Sequence, residues 1–164
     1  MANPIELHAA RARILDRVQP CTRVETVPLG EAHGRVLASP IYTEGPWPAT
    51  DRSAMDGFAV VAGDEGLPEG AALPVVGESL AGRPFGRDLR AGEAIRIMTG
   101  AVVPAGADAV VPVERSSGYQ GEQVTFSARI ESGANIRRMG SERPAGVEVL
   151  SAGRRLDAAA VGAL

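Results

Sequence analysis

Lysine is absent from this chain of 164 residues: all 17 basic side chains are arginine. That absence removes Schiff-base chemistry, a phosphate-loop lysine and a lysine general base, so anion contacts fall to Arg, Ser, Thr or backbone N–H groups. Cysteine is nearly absent too, and the lone Cys21 excludes an intramolecular disulfide and a thiolate metal site. Aromatic side chains are limited to three Phe, two Tyr and one Trp, and the net charge is −3. Nucleic-acid binding needs a basic field and stacking surface, so it is set aside. No apolar run approaches the ~20 residues of a membrane span. The start, Met1-Ala2-Asn3-Pro4, leads into a charged stretch rather than a signal core. A cytoplasmic, reduced setting is the expectation.

Glycine and proline, at 20 and 12 residues, are plentiful, while 45% of the chain is apolar. This describes a folded, loop-rich protein of one domain or two small ones, and one domain of this size buries roughly 70% of its unfolded surface. Pro4 to about Val18 reads as a helix, with Ile5, Ala9, Ala12, Ile14 and Leu15 on one face. Short strands are expected at 23–27 and 35–38, around a turn from Gly30 to Gly34. Gly45-Pro46-Trp47-Pro48 is stiff and extended, a linker into a second unit. That unit carries expected strands at 58–61, 73–76, 94–98, 109–113 and 123–127, which suggests a small β-barrel or sandwich. Another strand is expected at 147–150, then a helix capped by Asp157 that stops at Leu164 after about two turns. So short a helix is marginal alone, and the expectation is a native chain that continues.

Three segments carry candidate chemistry. The first, Asp51-Arg52-Ser53-Ala54-Met55-Asp56-Gly57, places two carboxylates and a hydroxyl before a strand. Asp51 and Asp56 suit Mg2+, which takes few carboxylates plus water and phosphate oxygens. Local pattern favours the plainer alternative, a turn cap at Asp51 and an Asp-Gly bend at Asp56. In the second segment, Ile95 to Glu114, Thr99-Gly100 ends a strand, and Gly100 permits close backbone approach to a ligand. An ordinary strand-ending turn explains it equally well. The third is Asn135-Ile136-Arg137-Arg138-Met139-Gly140-Ser141-Glu142, whose adjacent guanidinium groups can grip an oxyanion or form an exposed basic turn. Two carboxylates ~4 Å apart at an effective dielectric of ~20 repel by about 4 kcal/mol. If Asp56 and Glu142 converge, a cation, a proton, or Arg137 and Arg138 must compensate. Gly63-Asp64 and Gly106 to Asp108 read as turns, His8 as helix surface and His33 as a turn residue.

Together these segments resemble the N-terminal region of the molybdopterin molybdotransferases, the MoeA and gephyrin E-domain family, over essentially the whole chain. The resemblance implies a mainly β fold with some α: an elongated α+β lobe, 1–44 with 147–164, and an inserted β domain, 45–146. The family's α/β pterin-binding domain and final β domain lie beyond this sequence. It implies molybdenum insertion from molybdate into adenylated molybdopterin with release of AMP, and a site completed across a homodimer, so that this chain supplies half. The upstream adenylating protein of the same pathway is a further partner it allows. By the family's Ser-Ala-Met-Asp-Gly motif, Asp56 is the catalytic and metal-binding acid, with Mg2+ the implied cation. Glu142 is a supporting catalytic and metal carboxylate, and Ser53, Thr99, Arg137 and Arg138 are substrate or anion contacts. The sequence departs from the family's common residues at Arg52 (Asn), Phe58 (Tyr) and Ser141-Glu142 (Glu-Asp). A non-catalytic scaffold and a short regulatory paralogue are the alternatives.

Overall fold

The computed structural model describes residues 5–19 and 21–164. The chain divides into two compact units, Met1–Pro40 with Leu150–Leu164, and Ile41–Val149.

In the first unit, helix α1 spans Leu7–Leu15. Pro4, expected in its first turn, and Pro20 lie outside the described residues. The helix is shorter than the sequence suggests, and none of its residues is buried. Leu7 is 84% exposed, so the apolar face expected of Ile5, Ala9, Ala12, Ile14 and Leu15 does not seal a core. The strand expected at 23–27 is also absent, because no described segment forms a ladder with it. Of 35–38, only Val36 makes a bridge, to Arg155. Helix α2, Ala158–Gly162, begins where the sequence places it, with the Asp157 carboxylate accepting from the Ala160 N–H at 2.7 Å.

The second unit is a β domain. Strands β1 (Ile41–Tyr42), β2 (Arg52–Ser53), β3 (Gly57–Val60), β4 (Ala72–Ser79), β5 (Ala94–Ile97), β6 (Ala109–Pro112), β7 (Gln123–Thr125), β8 (Ile136–Arg137) and β9 (Glu148–Leu150), whose last residue already belongs to the first unit, follow in order. Five form the main sheet, β6-β3-β5-β4-β7, while β1 pairs with β9 and β2 with β8. All neighbours in the main sheet are antiparallel except β4 and β5, which run parallel with a register break between Val75 and Glu78.

Apolar side chains cover both faces of the sheet. Phe58 and Val60 join Ala109, Val111, Val124 and Phe126 on one side, while Ala59 joins Ile95, Ile97 and Val110 on the other. This two-sided burial is why the strands read as continuous apolar runs rather than as alternations. Phe126 meets Phe58 edge-on at 6.2 Å between ring centroids, a favourable aromatic geometry. Asp108, expected in a plain turn, clamps the far end of β3: its carboxylate accepts from the Ala62 and Gly63 N–H groups at 2.6 and 2.8 Å.

Gly57 opens β3 at its closest approach to β6. A Cβ there would collide with the Val111 carbonyl, a backbone group with nowhere to retreat. Gly57→Ala should destabilise the chain by at least about 3 kcal/mol. Gly86, whose Cβ would meet nothing within 4 Å, should accept Ala with a gain of up to about 1 kcal/mol. Urea denaturation of both variants beside the parent sequence measures this, and equal stabilities would contradict the packing at Gly57.

Candidate functional site

The acidic segment is held by backbone before any side chain acts. Residues 51–54 lie between two other stretches of chain: Val103 N–H donates to the Asp51 carbonyl at 3.0 Å, Ser53 N–H to Ala101 at 3.0 Å, and Ala54 N–H to Asn135 at 2.9 Å. On the β2–β8 side, Arg52 faces Arg137 and Ser53 faces Ile136. This pairing joins two of the three sequence segments, and the third arrives through Thr99 and Gly100. Gly100, at φ +79, turns the chain after β5 so that its N–H donates to the Ser53 carbonyl at 2.8 Å. Its own carbonyl accepts from the Arg52 guanidinium at 3.1 Å. Beneath them the fully buried Ser79 hydroxyl donates to the Val102 carbonyl at 2.7 Å.

Each candidate side chain has an identifiable neighbour. The Asp56 carboxylate is exposed, and one of its oxygens accepts both the Thr99 N–H at 2.6 Å and the Thr99 hydroxyl at 2.7 Å. The N–H bond first, and the hydroxyl second, hold its pKa below the ordinary aspartate range, against a small opposing effect of burial. Asp56 is therefore ionised and oriented, with its second oxygen toward solvent. Partial burial pushes Asp51 upward, but the Met139 N–H at 2.7 Å and the Arg138 guanidinium at 2.7 Å outweigh it, so its pKa is also lowered. Arg137 pairs with Glu142 at 3.1 Å. The two arginines thus neutralise Glu142 and Asp51, while Asp56 is stabilised by the neutral donors of Thr99.

Ser53 is 3% exposed, and its hydroxyl closes a turn by donating to the Met55 carbonyl at 2.6 Å. It shapes the approach to Asp56 instead of facing solvent. Tyr119 comes near the same acid from the loop before β7, its ring 5.4 Å from that of Phe58. Burial, then the charges of Asp56 and Glu114, push its hydroxyl pKa up. Sequence reading missed Tyr119, whose only local signal is a position between two glycine-rich turns. Arg143 was missed as well. It has no ion pair among the described residues and bridges Trp47 on the edge of this cluster.

Among the described residues no three His, Cys, Asp or Glu side chains gather as a metal-binding group. His8 is exposed on α1 and His33 in a turn. A free, ionised oxygen on Asp56 nevertheless fits one carboxylate ligand of Mg2+, a cation that commonly takes its other ligands from phosphate and water. A cavity of about 320 Å3 lies elsewhere, along the outer edge of β6 between Pro112, Arg115, Arg129 and Asn135.

The family described as the MoeA N-terminal region (domain I and II) matches residues 5–164. The chain is 38% identical over 152 residues to a molybdopterin molybdenumtransferase of Haemophilus influenzae, covering 93% of this chain and 37% of that protein. It is 39% identical over 153 residues to molybdopterin molybdenumtransferase 2 of Mycobacterium tuberculosis, covering 92% and 38%. The crystal structure of the molybdopterin biosynthesis MoeA protein from Pyrococcus horikosii superposes with a TM-score of 0.82 at 27% identity, covering 92% of this chain and 39% of that one. The chain therefore spans less than two fifths of each of these relatives.

The Asp56–Thr99 pair has a titration signature. Since the folded pKa of Asp56 is depressed, its contribution to stability is complete above the unfolded aspartate value and lost as pH falls through the lower folded one. Thr99→Val removes the hydroxyl bond but keeps the N–H bond, so it should move the Asp56 pKa part of the way back up. Carboxylate carbon NMR across the acid range reads this directly. An unchanged Asp56 titration would show that the hydroxyl bond does not form in solution.

Proposed function

Since the chain belongs to the MoeA N-terminal region family, we propose that it is the N-terminal portion of an enzyme that inserts molybdenum from molybdate into adenylated molybdopterin and releases AMP. The observation that carries this reading is Asp56, an exposed carboxylate kept ionised and aimed by two bonds from one residue across the sheet. It stands at the head of a buried strand, so its position is set by the core rather than by a flexible loop. Oriented charge of this kind stabilises developing charge at little reorganisation cost.

In this reading Asp56 and Thr99 face the reacting phosphate and molybdate oxygens. Asp56 is the residue that would hold Mg2+, which when bound supplies charge neutralisation at phosphate. Glu142, already engaged with Arg137, is the weaker of the two candidate metal ligands. Arg137 and Arg138 lend donors to anionic substrate while bracing Glu142 and Asp51, and Ser53 maintains the turn that presents Asp56. The elongated lobe at 1–44 and 147–164, the inserted domain at 45–146, a homodimer that completes the site, an upstream adenylating partner and a cytoplasmic setting belong to the same proposal. The exposed Leu7, Ile14 and Leu15 on α1 support self-association, since they offer apolar area that a second copy would bury. No helix among the described residues is long and apolar enough to cross a membrane.

Two measurements test this reading. In the parent-length enzyme, Asp56→Asn keeps shape and removes charge, and should lower molybdenum insertion by at least about a hundredfold with little change in the thermal midpoint. Unchanged turnover, or a loss fully explained by unfolding, would reject the catalytic role and favour a scaffold. The 164-residue chain by itself should form dimers by light scattering yet fail to activate an apo-molybdoenzyme supplied with adenylated molybdopterin and molybdate. Half a site positions charge without holding the whole substrate. A monomer, or turnover at the parent's rate, would count against the half-site arrangement.

A further inference from the structure

The chain's one tryptophan is held out of the core on a rigid stem. Trp47 is 61% exposed, yet its backbone is fully engaged. Its N–H donates to the Arg143 carbonyl at 2.7 Å, and its carbonyl accepts from the N–H groups of Glu142 and Arg143, both at 3.0 Å. Pro46 packs against Gly140, and the Pro48 carbonyl accepts the Gly140 N–H at 2.9 Å. A ring exposed merely because its loop opens freely would not sit on a backbone whose polar groups are all paired.

The antiparallel bridge sets Trp47 directly opposite Arg143, which places indole and guanidinium on one face. Arg143 differs from its neighbours. Arg137 and Arg138 are neutralised by Glu142 and Asp51, whereas the Arg143 side chain has no partner among the described residues. The same segment is tied to the acidic cluster, since Glu142 donates its N–H to Trp47 and pairs its carboxylate with Arg137.

From this placement we propose that Trp47 and Arg143 form a docking patch for a planar heteroaromatic ring that carries a phosphate. The ring stacks on the indole and the phosphate takes the guanidinium fork. An exposed aromatic face accepts any flat base, and an unpaired arginine beside it matches phosphate geometry. The ligand's identity rests on the function proposed above, in which the patch receives the adenylate end of the substrate. Sequence motifs do not mark this pair, because 96 positions separate two residues that are individually ordinary.

The test is a titration of AMP into the 164-residue chain, followed by the emission of its single tryptophan, beside adenosine and ribose 5-phosphate. AMP should quench saturably. Adenosine should quench with affinity weaker on the order of tenfold, through loss of the charged hydrogen bonds. Ribose 5-phosphate should leave the emission unchanged. Arg143→Gln should bring AMP down to the adenosine level, and calorimetry on Trp47→Ala should show both ligands weakened on the order of tenfold. Both side chains are exposed, so circular dichroism should match the parent sequence for each variant.

Absence of saturable quenching by AMP overturns the proposal, as does equal calorimetric affinity for AMP and ribose 5-phosphate. An emission that shifts with protein concentration and ignores AMP also overturns it, since the indole then lies between copies. A parent-length enzyme that inserts no molybdenum while AMP still quenches Trp47 defeats the proposed reaction and upholds the patch. Normal insertion without AMP quenching defeats the patch alone.

Discussion

Strand β3 is enclosed on all sides, and the rest of the second unit is arranged around that enclosure. Its two edges pair with β5 and β6, its two faces carry separate apolar clusters, and at Gly57 the neighbouring strand comes so near that no side chain fits. A strand enclosed in this way cannot shift register without moving every inward side chain to the wrong face. The residue immediately before it inherits that immobility. Asp56 contributes its carbonyl to the Val113 N–H at 3.0 Å and its carboxylate to Thr99, so both ends of one residue are tied to different strands' extensions. The exposed carboxylate is thereby presented by the core.

Around this fixed point the charges sort themselves by chemistry. Arg52 and Arg137 stand directly opposite each other in the short β2–β8 ladder, an arrangement that like charges disfavour. Each is relieved differently, Arg52 by the Gly100 carbonyl and Arg137 by Glu142. Arg138 is drawn to Asp51. Exposed pairs of this kind add little to stability, typically 0 to about 1 kcal/mol, but they decide which groups face a ligand already neutralised and which remain available. Asp56 and Arg143 are the available ones, an anion braced by neutral donors and a cation beside an aromatic ring.

Much of the β domain was legible in the chain because burial on two faces writes itself as local apolar runs. The strands expected near 58–61, 94–98, 109–113 and 123–127 occur with ends shifted by one or two residues, and β4 is longer than expected at Ala72–Ser79. Its outward polar positions, Glu78 above all, diluted the signal. The first unit was less legible. The alternation of Val24 and Val27 with Glu25 and Thr26 has strand propensity, but a strand exists only where a second backbone pairs with it, and among the described residues none does. The spacing of Ile5, Ala9 and Ala12 states which side of α1 is apolar without stating whether anything covers it.

The sequence by itself determined the chemistry on offer: arginine as the sole cation, an acid-and-hydroxyl turn ahead of an apolar strand, and the Asp157 cap. Composition and nearest-neighbour spacing suffice for these. Only the tertiary structure decided how the groups are used. It gave Asp56 to Thr99 across 43 positions, joined Asp51 to Arg138 across 87, and set Arg143, without an ion pair among the described residues, beside Trp47. The reason is that a hydrogen bond or ion pair depends on separations of a few ångströms in space, and those separations are set by sheet pairing that brings distant segments together rather than by any pattern along the chain.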